Sequence, residues 1–164
     1  MEAFREKGYD ITSEDIADKW VGYIPFAYTA EEIALNHLRH GIYPPESGYV
    51  ANPYREMIGA AMRAAICGAL APANPRMAAE LAWRDGCVSH HNNGILAEVF
   101  NALIVSMAYV ETDMQVILDK AMRMIPRDSE FYSVLAFACQ ACGQSRDYRQ
   151  AWELCEEKYK EYNW

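Results

Sequence analysis

The chain has 164 residues, of which 52% are hydrophobic, and its formal net charge is −8 at pH 7. This length and apolar content indicate a folded domain with a sizeable core rather than a disordered chain. A negative surface repels nucleic acid and anionic membranes, so neither is expected as a partner. No uninterrupted apolar run reaches the length of a membrane-spanning helix.

The cysteines and the first residues indicate a cytoplasmic protein. The chain contains five cysteines, an odd number that suits reduced thiols better than a disulfide framework. Residues 1–10 are charged and do not have the pattern of a secretory signal peptide. The pair Cys139 and Cys142 lacks the second pair that a zinc site needs, so both are predicted to be core thiols.

Capping signals mark the first two predicted helices. Residues 12–13 supply the N-cap of a helix that ends before Pro25. The sequence Thr-Ala-Glu-Glu at 29–32 has the pattern of a capping box, with Glu32 at the third helical position. It predicts a second helix that runs to about His40, where Gly41 follows as a plausible stop.

Prolines and glycines divide the next part of the chain. Residues 42–53 contain three prolines and a glycine, and they are predicted to form a long loop. A helix is predicted over 54–70, where Gly59 and Gly68 indicate close packing or a helix start nearby. The helix over 74–86 begins with an asparagine cap followed by proline.

A long helix over 93–110 is predicted to lie at the centre of the fold, because it is apolar on nearly every side. Three more helices follow it, with starts predicted at 112–115, 128–129 and 145–147. No segment shows the alternation of a strand. We therefore expect a compact all-α fold of seven to eight helices, forming a single domain over 1–164.

Two segments of small residues bracket an alanine-rich helical hairpin. Residues 58–63 read Ile-Gly-Ala-Ala-Met-Arg, and residues 89–94 read Ser-His-His-Asn-Asn-Gly. Small residues let the backbone come close to another backbone or to a ligand. The second segment also puts imidazoles and amides at a junction between a loop and a helix, where backbone N–H groups are free.

Long stretches around these segments carry a resemblance to a known family. They are NPYREMIGAAMR (52–63), PANPRMAAELAWRDGCVSH (72–90) and NNGILAEVF (92–100). The chain resembles the bacterial ADP-ribosylglycohydrolases, the relatives of the enzyme that reactivates dinitrogenase reductase. The resemblance implies an all-α fold and metal-assisted hydrolysis of the glycosidic bond between ADP-ribose and a protein side chain or small acceptor. It covers only the middle of the family's domain.

The resemblance also implies a substrate pocket, with its residues close together around one concavity. These residues are Glu56, Gly59, Arg63, Ser89, His90, Asn93 and Gly94. His90, rather than His91, is expected to stack on a nucleotide or to hydrogen bond to it. The backbone at Gly59 is expected beside the ribose-phosphates. Structural alternatives remain open: Gly59 at a helix contact, Arg63 in an ion pair with Glu56 or Asp85, and His90 as a helix cap.

Two positions depart from the family's pattern. Met57-Ile58-Gly59 stands where the family often has Gly-Asn-Gly. Ala65 stands where one bacterial branch commonly has an acidic residue.

The family resemblance implies a pair of magnesium ions, held by acidic motifs that lie before and after the region matched here. The acidic clusters present are each explained as a helix cap, a first-turn charge or a solvated face: Glu14-Asp15, Glu31-Glu32, Glu111-Thr112-Asp113 and Glu156-Glu157. No residue is therefore assigned as catalytic or as a metal ligand. We expect this chain alone not to bind the magnesium pair, to be inactive as a truncated hydrolase, and to bind ADP-ribose or an ADP-ribosylated substrate weakly.

A non-enzymatic helical scaffold is the alternative reading. The predicted helix pair over 129–160 is typical of a helical repeat and could bind a partner peptide. Apolar faces around Trp20, Trp152 and Trp164 are expected to be exposed, and such faces are usually covered by a partner. We therefore expect a homo-oligomer or a complementing chain.

Overall fold

Helices make up all of the regular secondary structure in residues 1–162, the part of the chain that the computed structural model describes. This confirms the predicted all-α class. In chain order the α-helices are α1 (Glu2–Lys7), α2 (Ser13–Tyr23), α3 (Thr29–Arg39), α4 (Glu46–Tyr49), α5 (Gly59–Arg63), α6 (Ala65–Leu70), α7 (Pro75–Gly86), α8 (Asn93–Met107), α9 (Met114–Met122), α10 (Glu130–Gln144) and α11 (Tyr148–Tyr159). Short 3-10 helices lie at Gly8–Asp10 and Lys160–Tyr162.

The number of helices exceeds the predicted seven to eight because several segments are short or divided. The predicted helix over 54–70 is wrong at its start: residues 54–58 form turns, and α5 begins at Gly59. Ala64 then separates α5 from α6. A Cβ on Gly68 would lie 2.6 Å from the carbonyl oxygen of Ala102, so the glycine lets α6 pack closely against α8.

The two N-terminal caps have different outcomes. At α2 the predicted cap is confirmed, since Thr12 Oγ1 accepts a hydrogen bond from the Asp15 amide and Asp15 Oδ2 accepts one from the Thr12 amide. At α3 the predicted capping box is wrong. Tyr28 is the N-cap, Thr29 has a φ of 49°, and no side chain caps the helix. The acidic residues of this turn, Glu31 and Glu32, therefore do not cap the helix.

The apolar helix α8 lies at the centre of the first part of the fold, as predicted. It packs against α5, α6 and α7. Its buried residues lie on most sides of the helix: Gly94, Ile95, Glu98, Val99, Phe100, Ala102, Leu103, Ser106 and Met107. One of them, Glu98, is an acid within an otherwise apolar surface, and it turns out to belong to the candidate site.

The chain divides into two compact units, the first over Met1–Ala121 and the second beginning at Met122. The prediction of a single domain stays a prediction. In the second unit α10 packs against α11, where the rings of Phe137 and Tyr159 meet edge to face at 5.6 Å between centroids. Cys142 is exposed on α10, so its prediction as a core thiol is wrong.

The expected exposure of tryptophans holds for one of the three residues. Trp152 on α11 is 62% exposed. Trp20 is half-buried, and Trp164 lies outside the described residues. Within residues 1–162, no helix has the length and apolar character needed to cross a membrane.

Buried polar side chains hold the predicted loop over 42–53, which contains α4, against the segment before α8. The Ser47 hydroxyl donates to the Val88 carbonyl oxygen at 2.8 Å. The side-chain amide of Asn52 lies 3.1 Å from the Ser89 carbonyl oxygen and 3.2 Å from that of Ala30, in the first turn of α3. Because both polar side chains are buried and satisfied, these contacts fix three chain segments around Ser89.

Gly48 allows this close approach. A Cβ at this position would lie 2.6 Å from the carbonyl oxygen of His90 and 2.7 Å from that of Cys87. Both are backbone atoms, so neither can move aside as a flexible side chain would. The glycine therefore lets α4 lie directly on the segment that carries Ser89 and His90.

We expect the substitution Gly48→Ala to lower the free energy of unfolding by about 1–3 kcal/mol, because the added methyl group overpacks the contact with residues 87–90. The matched control is Gly143→Ala in α10, where a Cβ would meet nothing within 4 Å. That change should leave stability unchanged or raise it by up to about 1 kcal/mol through helix propensity. Urea unfolding of the three proteins measures both effects, and equal stabilities for the two variants would contradict the prediction.

Candidate functional site

Arg63, the last residue of α5, joins three other elements through its guanidinium group. Nε donates to the carboxylate of Asp85 on α7, and Nη1 donates to Glu31 Oε1 on α3 at 3.2 Å. Nη2 donates to the Ser89 hydroxyl at 2.9 Å. The ring of Trp20 lies 5.2 Å from the guanidinium carbon, within the range of a cation–π contact. The arginine thus pairs with Asp85 and Glu31, and not with Glu56.

Mutual pairing keeps Arg63 and Asp85 charged in a partly buried place. Burial works against the charge of the arginine, but the neighbouring Asp85 carboxylate outweighs it and raises the pKa of Arg63. Burial likewise works against the Asp85 charge, yet Arg63 and its hydrogen bond lower the pKa of Asp85. The pair is therefore ionised at neutral pH.

Glu98 adds a second, uncharged carboxyl group behind Asp85. It is fully buried, and neither of its oxygens accepts a hydrogen bond. Burial, followed by the charge of Asp85, raises the pKa of Glu98 to about 10. Glu98 therefore carries a proton at neutral pH, near the charged Asp85 carboxylate. The absence of a side chain at Gly86 makes room, because a Cβ there would lie 2.7 Å from Glu98 Oε2.

Ser89 and His90 continue the chain of hydrogen bonds from Arg63, and both are buried. The Ser89 hydroxyl oxygen accepts from Arg63 and lies 2.8 Å from His90 Nδ1. Because the Ser89 oxygen already accepts from Arg63, we assign its hydroxyl hydrogen to the contact with Nδ1 and the ring proton to Nε2. Burial, followed by the charge of Arg63, lowers the pKa of His90 to about 4, so the ring is neutral.

The Nε2 atom of His90 is buried and has no hydrogen-bond partner. The nearest carboxylate oxygen is Glu31 Oε1, at 4.0 Å. Among the buried polar groups of the described residues, such an unmatched donor is unusual and calls for an explanation. We call Glu31, Arg63, Asp85, Ser89, His90 and Glu98 together the Arg63 cluster.

Gly59 lies directly against the Glu31 carboxylate. A Cβ at this position would be 2.0 Å from Glu31 Oε1. The glycine thus leaves the space that the Glu31 side chain needs to reach Arg63. A carboxylate beside Gly59 repels a phosphate group, so the expected ribose-phosphate role of Gly59 gains no support and stays a prediction.

The remaining predicted residues lie where the 54–58 turns meet the start of α8. Glu56 Oε2 accepts a hydrogen bond of 2.7 Å from the Asn93 side-chain amide. A Cβ on Gly94 would lie 2.5 Å from the Arg55 carbonyl oxygen and 3.1 Å from Cδ2 of His90. Gly94 therefore lets the turn and the imidazole approach the same point on α8.

The structure brings the seven predicted residues together in the first unit. The contacts run from Gly59 through Glu31, Arg63 and Ser89 to His90, and from His90 past Gly94 to Glu56 and Asn93. That they bind substrate stays a prediction. The sequence analysis missed three members of the Arg63 cluster as site residues: Glu31, Glu98 and Asp85, which it named only as an ion-pair partner of Arg63. An acid inside the apolar helix α8 was the signal that could have revealed Glu98.

The charged side chains present do not fit a magnesium pair. Magnesium needs several ionised oxygen ligands, whereas Glu31 and Asp85 both bind Arg63 and Glu98 is protonated. Glu111 and Asp113 accept hydrogen bonds from backbone amides before and within α9, as a cap does. Among residues 1–162, no group of three or more His, Cys, Asp or Glu side chains is arranged to hold a metal ion.

A cavity of about 120 Å³ has Asp85 among its lining residues. Its walls are mostly apolar and come from the first helices together with α6 and α7: Phe4, Ile16, Trp20, Ile66, Leu70 and Leu81. None of the seven predicted substrate residues lines it. Asp85, a member of the Arg63 cluster, also lines it, so the cavity adjoins that cluster.

The fold and site define a class of protein, namely an all-α unit in which glycines let helices pack closely around a charged cluster. A sequence model of the ADP-ribosylglycohydrolase family matches residues 1–163, nearly the whole chain. The chain therefore belongs to the ADP-ribosylglycohydrolase family, as the resemblance predicted. No curated protein and no solved structure matches the chain significantly.

The buried proton on Glu98 predicts a pH dependence of stability. Between its ordinary pKa of 4.5 and its folded pKa of about 10, the folded chain holds a proton that the unfolded chain releases. Hence this residue makes the free energy of unfolding fall by about 1.4 kcal/mol for each unit of rising pH in that window. The substitution Glu98→Gln cannot ionise and keeps a side chain of the same size and shape.

We therefore expect Glu98→Gln to be more stable than the parent chain at pH 8, by an amount that shrinks towards pH 5. Urea unfolding at a series of pH values measures the difference. The control Glu153→Gln changes an exposed acid of the same type and should leave the pH dependence unaltered. If the free energies of unfolding of Glu98→Gln and the parent change with pH in the same way, Glu98 is ionised in the folded chain.

A double-mutant cycle tests the contact between Gly59 and Glu31. In the parent chain, Gly59→Ala should cost about 1 kcal/mol, because the added methyl group displaces the carboxylate from Arg63. In a Glu31→Ala background the same change should cost nothing, or gain up to about 1 kcal/mol from helix propensity. Urea unfolding of the four proteins gives the coupling, and an equal effect in both backgrounds would rule out the contact.

Proposed function

We propose that the chain binds ADP-ribose, or an ADP-ribosylated side chain, at the Arg63 cluster. Membership of the ADP-ribosylglycohydrolase family supports this class of ligand. The observation that carries the proposal is that three predicted residues, Arg63, Ser89 and His90, meet in one cluster. The cluster is partly open, since the side chains of Arg63 and Glu31 are 24% and 21% exposed. A ligand can reach those two groups from solvent.

The binding is proposed to be weak. Arg63 brings one positive charge to the cluster, whereas Glu31 and Asp85 bring two negative charges. The resulting charge of −1 repels the two phosphates of ADP-ribose. The ligand must therefore gain its affinity from hydrogen bonds and stacking rather than from its charge.

We also propose that this chain alone neither releases ADP-ribose nor binds a magnesium pair. Hydrolysis of a glycosidic bond needs an activated water and a group that stabilises the developing charge. Glu31 and Asp85 are bound by Arg63 and Glu98 holds its proton, so these carboxyl groups do not supply that chemistry. Carboxylates from elsewhere would have to complete the site.

A peptide-binding scaffold is the second candidate function, and α11 is the observation that favours it. Tyr148 and Trp152 on this helix are 76% and 62% exposed. Large exposed side chains of this kind are common at protein interfaces. We propose on this ground that the chain associates with a second copy or with a complementing chain, and light scattering of the purified chain measures that association.

The test of ligand binding is calorimetry with ADP-ribose, beside a hydrolysis assay on ADP-ribosyl-arginine and ADP-ribosyl-serine with added magnesium. We expect weak binding, no turnover, and binding that falls at least about tenfold in Arg63→Gln, since the change loosens the cluster. The control Arg76→Gln removes an exposed arginine, 88% exposed in its side chain, and should bind as the parent does.

Two results would contradict the proposal in different ways. No binding of ADP-ribose to the parent chain would leave the scaffold function as the better reading. Magnesium-dependent turnover that a chelator abolishes would show that an acid explained here as a cap or an ion-pair partner is a metal ligand.

A further inference from the structure

Two polar groups of the Arg63 cluster lie close to each other without forming a hydrogen bond. The Nε2 atom of His90, to which we assigned the ring proton, is buried and has no hydrogen-bond partner. Glu31 Oε1 lies 4.0 Å away, too far for a direct hydrogen bond. A buried donor without a partner is costly, so a group that satisfies His90 is favoured at this place.

The chemistry of the two groups selects the kind of atom that fits between them. The group must accept a hydrogen bond from Nε2–H and donate one to the Glu31 carboxylate. A phosphate can only accept and is repelled by the carboxylate, and an ammonium group can only donate. A hydroxyl group does both, because its oxygen accepts while its hydrogen is donated.

We propose that Glu31 and His90 form a subsite for a ribose hydroxyl group of the ligand. The proposal rests on the proposed binding of ADP-ribose and adds which part of that ligand the cluster reads. ADP-ribose has two riboses, and each carries vicinal hydroxyls of the required chemistry. In this proposal Glu31 contacts the ligand. From the sequence, its position in the first turn of α3 was explained by the helix dipole alone.

Arg63 and Ser89 act as positioning residues in this subsite. Arg63 donates to the Ser89 oxygen at 2.9 Å, which turns the serine hydrogen towards His90 Nδ1 at 2.8 Å. The imidazole proton is thereby held on Nε2, the atom that faces Glu31. Asp85 accepts a hydrogen bond from the guanidinium group and helps to keep it in place.

The hydroxyl group enters from the side of Glu31. That side chain is 21% exposed, whereas His90 is only 1% exposed and is reached past the carboxylate. Glu31 is a flexible side chain, and its carboxylate occupies the space that Gly59 leaves. Rotation of this side chain away from Arg63 therefore has to accompany entry of the hydroxyl.

The primary test compares Glu31→Gln with Glu32→Gln in calorimetry with ADP-ribose. The two acids are neighbours in the first turn of α3, so both changes remove the same charge from the helix start. Only Glu31 faces His90, and Glu32 is exposed. We expect about tenfold weaker binding for Glu31→Gln, because a charged acceptor is replaced by a neutral one, and unchanged binding for Glu32→Gln.

Nitrogen-15 NMR of the histidine rings gives a second readout that does not depend on affinity. In the free parent chain, His90 should show the Nε2–H tautomer, and ADP-ribose should shift its Nε2 resonance. Ser89→Ala should remove the tautomer preference while the chain stays folded by circular dichroism. His91, whose ring lies 5.1 Å from that of Tyr49, is the internal control and should not shift.

Three smaller probes identify the hydroxyl. A shift of His90 Nε2 by ribose 5-phosphate assigns the terminal ribose, and a shift by adenosine assigns the ribose next to adenine. Inorganic phosphate should leave the Nε2 resonance of His90 unshifted. Either ribose outcome supports the proposal, whereas a shift by phosphate alone overturns it.

The remaining outcomes separate this inference from the proposed function. If ADP-ribose binds the parent, Glu31→Gln and Glu32→Gln equally well, the hydroxyl subsite is wrong and the binding function stands. If ADP-ribose neither binds nor shifts His90, both are wrong, and the space between His90 and Glu31 holds internal water only.

Discussion

The guanidinium group of Arg63 is the interaction on which the rest of the site depends. It binds a carboxylate from α3, a carboxylate from α7 and the hydroxyl of Ser89 through three of its nitrogens. A charge in a partly buried place is tolerated only when it is paired and hydrogen bonded. The planar fork of arginine suits this task, since several donors are held in fixed directions at once.

The glycines around the cluster follow from this geometry. Gly59 leaves room for the Glu31 carboxylate, and Gly86 leaves room for the Glu98 carboxyl group. Gly94 lets the turn at Arg55 approach α8 and the ring of His90. Each glycine therefore serves a side chain or a backbone contact of the cluster, and none needs a bound ligand to explain it.

Much of the fold could be predicted from the sequence because its signals are local. Apolar periodicity and caps such as Thr12 placed most helices and the central position of α8. The errors at 54–58 and at the start of α3 have a different cause. Residues 54–58 form turns because Glu56 and Arg55 make contacts with the start of α8, far along the chain. Local propensity cannot report such contacts.

The candidate site shows the same division between local and distant causes. The sequence placed the seven residues near one another, since family resemblance and small residues at two segments pointed to the same place. It missed Glu31 because a first-turn acid already has a sufficient local explanation in the helix dipole. The role of Glu31 depends on Arg63, which lies 32 residues further on. A pairing of that kind becomes visible only once the helices are packed.

Family membership and local geometry therefore answer separate questions about this chain. The family match shows which family the chain belongs to, because it extends over residues 1–163. The geometry determines which chemical groups the described residues can recognise. Carboxylates that in another arrangement would attract a cation are here bound to Arg63, and one of the three carboxyl groups is neutral. What stays unmatched is a buried imidazole N–H facing a carboxylate oxygen, which favours a ligand hydroxyl over a phosphate or a metal ion.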